Sequence, residues 1–384
     1  MKRLNELNPA LAAPAMEFEL VGRYLARYKG RDWQAPQLSP GALARLQANH
    51  ALTLVLEHRY GDCDNINVIE DILLAACASY PDWKECWYSP LPGYGLVLAL
   101  WLVQLYGLRE KTRWVVRGAM TDLADYWAAQ PLAASPPGNS ACEEHAWRAG
   151  FLAMCAHVFP GWDRQGNERA ERWRQAALNF AYHTFTHPLD AIYDKAKVTT
   201  IDCNGRVENH GYDHPSYGLW SINGGAPLAY LRWTALPHTL AMDDIPTEVM
   251  HNIWLVWNYY KDHIDTQTWR FTTKDFEKFG GLDDWGVDAT WQNHSLAWLS
   301  FLASFFCYHD RREVRQIYHD MLLWELEHTP RTDWSVFLPE GARQAEMGGE
   351  SGYSEDMIWL LDSIAAKRHV EACLLGLPAG GGSG

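Results

Sequence analysis

DATWQNHSLAWLSFLASFFCY, Asp288–Tyr308, places Trp291, Leu296, Leu299, Leu302 and Phe306 at helical spacing along one stripe. Residues three and four apart share a helix face, so the stretch reads as an amphipathic helix with a wide apolar side. The same period predicts helices over 311–327 and 354–369 after it, and over 223–235 and 246–264 before it. An earlier series falls near 17–29, 41–58, 66–79, 93–107, 109–129, 143–158 and 167–186. In Asn67–Ala78, Val68, Ile72 and Ala75/Ala76 form the expected apolar face, and Glu70 and Asp71 sit early, where the helix dipole favours acids.

Strand signals are confined to Lys197–Asp202 (KVTTID) and Thr268–Thr272, which suit short β-hairpins in connections. Pro/Gly-rich breaks fall at Ser89–Gly95 (SPLPGYG), Ala134–Asn139 (ASPPGN) and Leu338–Gly352. None has the make-up of a flexible interdomain linker, so one domain is expected over 1–378. The run Ala379–Gly384 (AGGGSG) reads as a flexible tail. About twelve helices without a fixed sequence period suit an all-α (α/α)6 toroid of helical hairpins better than a solenoid.

The chain has 384 residues, of which 48% are apolar, enough for a large core. Its net charge of −14 opposes a nucleic-acid partner, because phosphate binding needs a basic surface. It also disfavours adsorption on an anionic membrane. No window of about eighteen apolar residues is free of charge, so no membrane span is expected. The start, MKRLNELNPALAAPAMEFEL, has no continuous apolar region of the kind a signal peptide carries, so a cytoplasmic location is expected. Eight cysteines without a CxxC pair read mostly as buried thiols in a reducing compartment. Twenty Trp and eighteen Tyr suit either stacking on sugar rings or filling wide gaps between helices.

The densest polar run is Asp202–Trp220, DCNGRVENHGYDHPSYGLW. Asn209, His210, Tyr212, Asp213, His214 and Tyr217 crowd its centre, and Gly205, Gly211, Pro215 and Gly218 interrupt any helix. Such a loop is costly to bury unless every polar group finds a partner, and its imidazoles and phenols can transfer protons. The plainer reading is a surface loop whose histidines cap neighbouring helices. A second run, Asp283–Ser295 (DDWGVDATWQNHS), repeats the Asn-His pair as Asn293-His294 on a helix and adds Asp284, Trp285 and Trp291. There, an internal hydrogen bond between helices is the competing role. In Arg59–Asn67 (RYGDCDNIN), Asp64 or Asn65 is expected as a helix N-cap. In Glu346–Asp356 (EMGGESGYSED), Ser354 suits a helix start, while Glu350 and Tyr353 are candidates for a cavity rim.

His210 and His214 are four apart, but Gly211 and Pro215 deprive that spacing of its helical meaning, and no metal or other cofactor is expected. GxSxG is absent, and Gly280-Gly281 and Gly348-Gly349 lack the strand–loop–helix setting of a phosphate loop.

The ENHGYDHPSY run, followed later by DW and by WQNHSLAWLSFLA (Trp291–Ala303), resembles the heparinase II/III-like and alginate-lyase-like (α/α)6 toroid proteins. The resemblance spans roughly 145–305. It implies a carbon–oxygen lyase acting by β-elimination on a uronate-containing saccharide. Asn209 or Asn293 would hold the uronate carboxylate, with Arg232 as a clamp; His210 or His294 would be the base, and Tyr212 or Tyr217 the acid. His214, Asp284, Trp285, Trp291 and Tyr353 join the substrate-binding candidates. A carbanion beside a carboxylate needs preorganised donors, which is the physical sense of this division. The partner expected is an oligosaccharide or small molecule. Alternatives are a small-molecule dehydratase or isomerase on the same scaffold, a glycoside hydrolase drawing on Asp283, Asp284, Asp288 or Glu350, and a non-catalytic sugar-binding protein.

Overall fold

The computed structural model describes residues 39–60, 64–103, 107–132, 142–159 and 166–183, with Glu248, Gln316, His319, Asp320 and Leu323 as isolated positions. Every regular element among the described residues is a helix, so the chain is all-α there. In order these are α1 (Pro40–Tyr60), α2 (Ile66–Ala78), α3 (Tyr80–Trp83), α4 (Pro90–Val103), α5 (Glu110–Ala128), α6 (Cys142–Val158) and α7 (Gly166–Tyr182). The described residues form two compact units that divide between Ala119 and Met120, inside α5. None of the described helices is long and apolar enough to cross a membrane. The helices expected over 17–29, 223–235, 289–308 and 354–369, and both short strand candidates, lie outside the described residues; of those expected over 246–264 and 311–327 only isolated positions are described, Glu248 in a turn and Gln316, His319, Asp320 and Leu323 helical.

In the first unit α1 packs against α4 and α2, and α3 touches α1 and α2. Helix α1 begins on Ser39 and Pro40. The Ser39 hydroxyl accepts the Ala42 N–H at 3.2 Å, and proline opens the helix where its missing N–H costs nothing. The Tyr88 ring lies across this first turn. Its hydroxyl is 3.3 Å from Ser39 Oγ, and the Arg45 guanidinium covers its face at 4.4 Å. Gly41 makes the room, since a Cβ there would sit 2.5 Å from the Tyr88 oxygen and 2.7 Å from Cε2.

Helix α4 corrects the reading of Ser89–Gly95 as a break. Pro90 and Pro92 occupy its first turn, where backbone N–H groups have no partner inside the helix. Ser89 closes the turn before it, its hydroxyl donating to the Lys84 carbonyl at 2.8 Å. Every residue of α4 except Trp101 is buried, so this helix has no solvent face.

Helix α2 corrects the expected apolar face. Ile69, Leu73, Ala76 and Cys77 are buried, whereas Val68 is 48% exposed and Ala75 is exposed. The sequence of α2 is apolar on most sides, so periodicity alone offers two stripes, and Glu70 decides between them. Its carboxylate is 2% exposed; it accepts the Arg109 backbone N–H, the Arg109 guanidinium and, at 3.2 Å, the Thr112 hydroxyl. Glu70 therefore serves the start of α5 and not the start of its own helix, whose first turn holds no acid. Asn65 takes the N-cap position of α2, but its side chain donates to Glu57 at 2.8 Å instead of capping. The short helix α3, absent from the periodicity, is fixed by Trp83, whose indole N–H reaches the Ala76 carbonyl at 3.1 Å.

In the second unit α6 packs along α7. Ala170, Trp173, Ala177, Phe180 and Ala181 form the buried face of α7, and its alanines let α6 approach closely. At the end of α5, Asp125 accepts from the Arg169 guanidinium and from the Trp173 indole, the latter at 2.9 Å.

Two glycines give opposite expectations. Gly→Ala inside a helix normally stabilises by about 0.5–1 kcal/mol. A Cβ added at Gly118 on α5 would meet nothing within 4 Å, so Gly118→Ala is expected to stabilise by that amount. Gly41→Ala drives a methyl into Tyr88 and is expected to destabilise by about 1–3 kcal/mol, by the cost of overpacking. Urea titrations of both variants check the signs. Glu70→Ala removes the acceptor of the part-buried Arg109 N–H and of the buried Thr112 hydroxyl and is expected to cost about 2 kcal/mol in the same assay.

Candidate functional site

The catalytic candidates His210, Tyr212, Tyr217 and His294 lie outside the described residues. So do the substrate-binding candidates Asn209, His214, Arg232, Asp284, Trp285, Trp291, Asn293 and Tyr353. Of the polar runs singled out by sequence, Arg59–Asn67 is described in part. Asp64 Oδ1 accepts the Ile66 N–H at 3.5 Å and stands 3.7 Å from His58 Nδ1. With Asn65 tied to Glu57 and His58, the segment joins the end of α1 to the start of α2. Asn65 thus holds the expected N-cap position, but without a side-chain capping bond.

Sequence reasoning passed over a third Asn-His pair, Asn49-His50 on α1. The signal was the same dipeptide that marks 209–210 and 293–294. Asn49 is fully buried and His50 is 9% exposed. Arg45, Asn49 and Thr53 fall four apart on one side of α1, and the Thr53 hydroxyl donates to the Asn49 carbonyl at 2.8 Å. This pair belongs to a packed helix interior.

The aromatic residues divide in the same way. Trp83, Trp127, Trp147 and Trp173 are core residues. Among the described residues Trp87 and Trp114 are the exposed tryptophans, at 55% and 56%. Trp114 is held on its own helix, with its N–H donating to Glu110 at 3.2 Å and the Arg117 guanidinium over its ring at 5.1 Å. Packing therefore accounts for most of the described tryptophans.

The second unit carries an open depression of about 430 Å³ beside the end of α5 and along α7. Ala128, Ala176 and Phe180 contribute apolar surface, and Gln130, Gln175 and Asn179 contribute carboxamides. Glu171 at its edge is bonded to Gln175 at 2.8 Å and to Arg174, and these bonds hold its carboxyl below the ordinary range. Glu171 and Gln175 are thus engaged with each other, and Gln130 donates to the Tyr126 carbonyl at 3.1 Å.

The buried thiols are poor nucleophiles. Burial pushes Cys77 up to about 12 and raises Cys155 well above the usual thiol range. Cys77, Cys86 and Cys155 are free. Among the described residues no group of three or more His, Cys, Asp or Glu is placed to hold a metal ion.

Compared with known proteins, the chain matches no family model, no curated protein and no solved structure.

Asp125 ties the end of α5 to α7 through Arg169 and Trp173. Asp125→Ala removes the acceptor of the Trp173 indole and the partner of Arg169. The carboxylate and guanidinium are both partly exposed, so the ion pair itself adds little. The expected cost is about 1–2 kcal/mol, mostly from the stranded indole N–H, measured by chemical denaturation.

Proposed function

We propose that the protein is a carbon–oxygen lyase that cleaves a uronate-containing saccharide by β-elimination, on an (α/α)6 toroid of helical hairpins. The observation that carries this reading is the crowding of Asn209, His210, Tyr212 and Tyr217 into one run broken by Gly211 and Pro215. The short resemblance to toroidal lyases supports it, as does the helical content of the described residues.

The chemistry needs three groups. A carboxamide, Asn209, binds the uronate carboxylate and stabilises the charge that develops as C5 loses its proton. A base, His210, accepts that proton. A phenol, Tyr212 or Tyr217, donates a proton to the departing glycosidic oxygen as the C4–O bond breaks and a C4–C5 double bond forms. Atoms and electrons balance without a cofactor: the proton lost at C5 goes to the base, and the leaving oxygen is protonated by the acid. Asn293 and His294 would complete the site from a second helix, with Arg232, Asp284, Trp285, Trp291, His214 and Tyr353 contacting the sugar.

The protein is expected to generate ultraviolet absorbance from an unsaturated product on at least one member of a uronate polysaccharide panel. His210→Ala is expected to lower kcat by about 10²–10⁴-fold, the usual reach of a general base. New reducing ends without ultraviolet absorbance would replace the lyase by a hydrolase. Water loss from a small hydroxy acid, with every polysaccharide inert, would replace it by a dehydratase. A folded wild-type protein inactive on all of them would leave the sugar-binding reading.

A further inference from the structure

The open depression of the second unit contains none of the residues assigned to the lyase chemistry, and its lining has a chemistry of its own. Arg172, Gln175 and Asn179 stand at i, i+3 and i+7 of α7 and so mark one helix face, about 10 Å long at 1.5 Å per residue. Among the described residues neither the Arg172 guanidinium nor the Asn179 carboxamide makes a hydrogen bond or an ion pair. At Asn179 it is the backbone carbonyl, not the side chain, that accepts from His183. Gln175 donates its amide N–H to Glu171, and Gln130 donates its own to the Tyr126 carbonyl. Each of these two glutamines therefore keeps a carboxamide oxygen with no donor among the described residues.

That inventory selects a class of ligand. The two charged residues that line the depression, Glu171 and Arg172, cancel, and the end of α5 adds the negative end of a helix dipole, so nothing there favours an anion. A wholly apolar ligand would cover the guanidinium and the carboxamides without satisfying them. A neutral polyhydroxy ring meets both demands. Each hydroxyl donates and accepts, so neighbouring hydroxyls pair with the oxygens of Gln130 and Gln175 and with the N–H groups of Arg172 and Asn179. The C–H face of a pyranose then rests on the apolar surface of Ala128, Ala176 and Phe180. The volume, about 430 Å³, falls within the range of roughly 300–1,000 Å³ usual for small-molecule sites.

The geometry points to a saccharide-binding site between the end of α5 and the Arg172–Asn179 face of α7, one that takes a neutral pyranose unit. Asn179 and Arg172 supply its donors, Gln130 and Gln175 its acceptors, and Ala176 its floor. The site binds and does no chemistry. It does not depend on the lyase reading, because a neutral sugar has no carboxylate to support β-elimination. Failure of either proposal leaves the other standing.

The test is titration calorimetry on the full chain, backed by saturation-transfer NMR. The probes are neutral gluco-, manno-, galacto- and xylo-oligosaccharides at millimolar concentration, with an oligouronate beside them. At least one neutral sugar is expected to bind. Asn179→Ala and Arg172→Gln change side chains on an exposed face and are each expected to weaken that binding by about three- to tenfold, the reach of a single hydrogen bond. Ala176→Phe fills the floor of the depression and is expected to abolish it. His210→Ala is expected to leave it unchanged. The exposed Trp114 is the competing platform for a sugar ring, so Trp114→Ala is expected to have no effect. Binding lost in Trp114→Ala and kept in Asn179→Ala and Ala176→Phe overturns the site. So does binding of the oligouronate alone, or of no sugar in the panel.

Discussion

A helix without a solvent face cannot stand at a surface, and α4 is of this kind, while α1 and α6 are also largely buried. Each such helix must be enclosed by others, and an all-α architecture of layered helices follows from that demand. Burial of a large aliphatic side chain contributes about 1.5–3 kcal/mol, so such helices supply much of the driving force for packing. Apolar contact is nevertheless non-directional, and it does not by itself say which face of α2 turns inward or where α7 ends. Those choices rest on a few polar groups: the buried Glu70 at the start of α5, the part-exposed Asp125 between Arg169 and Trp173, and the buried His145 at the His183 carbonyl just past the end of α7. Each satisfies backbone or indole groups that would otherwise be stranded, and each is satisfied in one register only.

That division explains what could be read from the sequence. Helices α1, α5 and α6 fall within a residue or two of their expected spans, because long periodic segments announce themselves. The start of α4 was hidden by SPLPGYG. Prolines that break a helix interior are well tolerated in its first turn, and composition alone does not say which of the two applies. The face of α2 was misjudged because Glu70 looked like a dipole-stabilising acid near its own N-terminus. Its partners, Arg109 and Thr112, lie some forty residues away in the chain, beyond the reach of local periodicity. Helix α3 is a single turn held by Trp83, and one turn has no period to read. The two units likewise divide inside a continuous helix, where no change of composition marks the boundary.

The candidate site was legible as chemistry rather than as geometry, and its residues 209–217 and 284–294 lie outside the described part of the chain. The third Asn-His pair shows how that chemistry should be weighed. Asn49-His50 has the same two side chains as the proposed catalytic pairs, yet it sits in a helix buried on nearly every side, among Leu52, Val55 and Leu56. An Asn-His dipeptide on an apolar helix is therefore compatible with packing alone in this protein.

Asn293-His294 lies in a similar sequence, with Leu296, Trp298, Leu299 and Leu302 following it at helical spacing. Asn209-His210 does not: its sequence holds Gly211 and Pro215, residues that disfavour a helix interior, and Tyr212, Asp213, His214 and Tyr217 give it no apolar stripe. A polar run of that kind gains little from core packing and retains groups able to exchange protons. On the proposed lyase reading, that contrast favours His210 over His294 as the base.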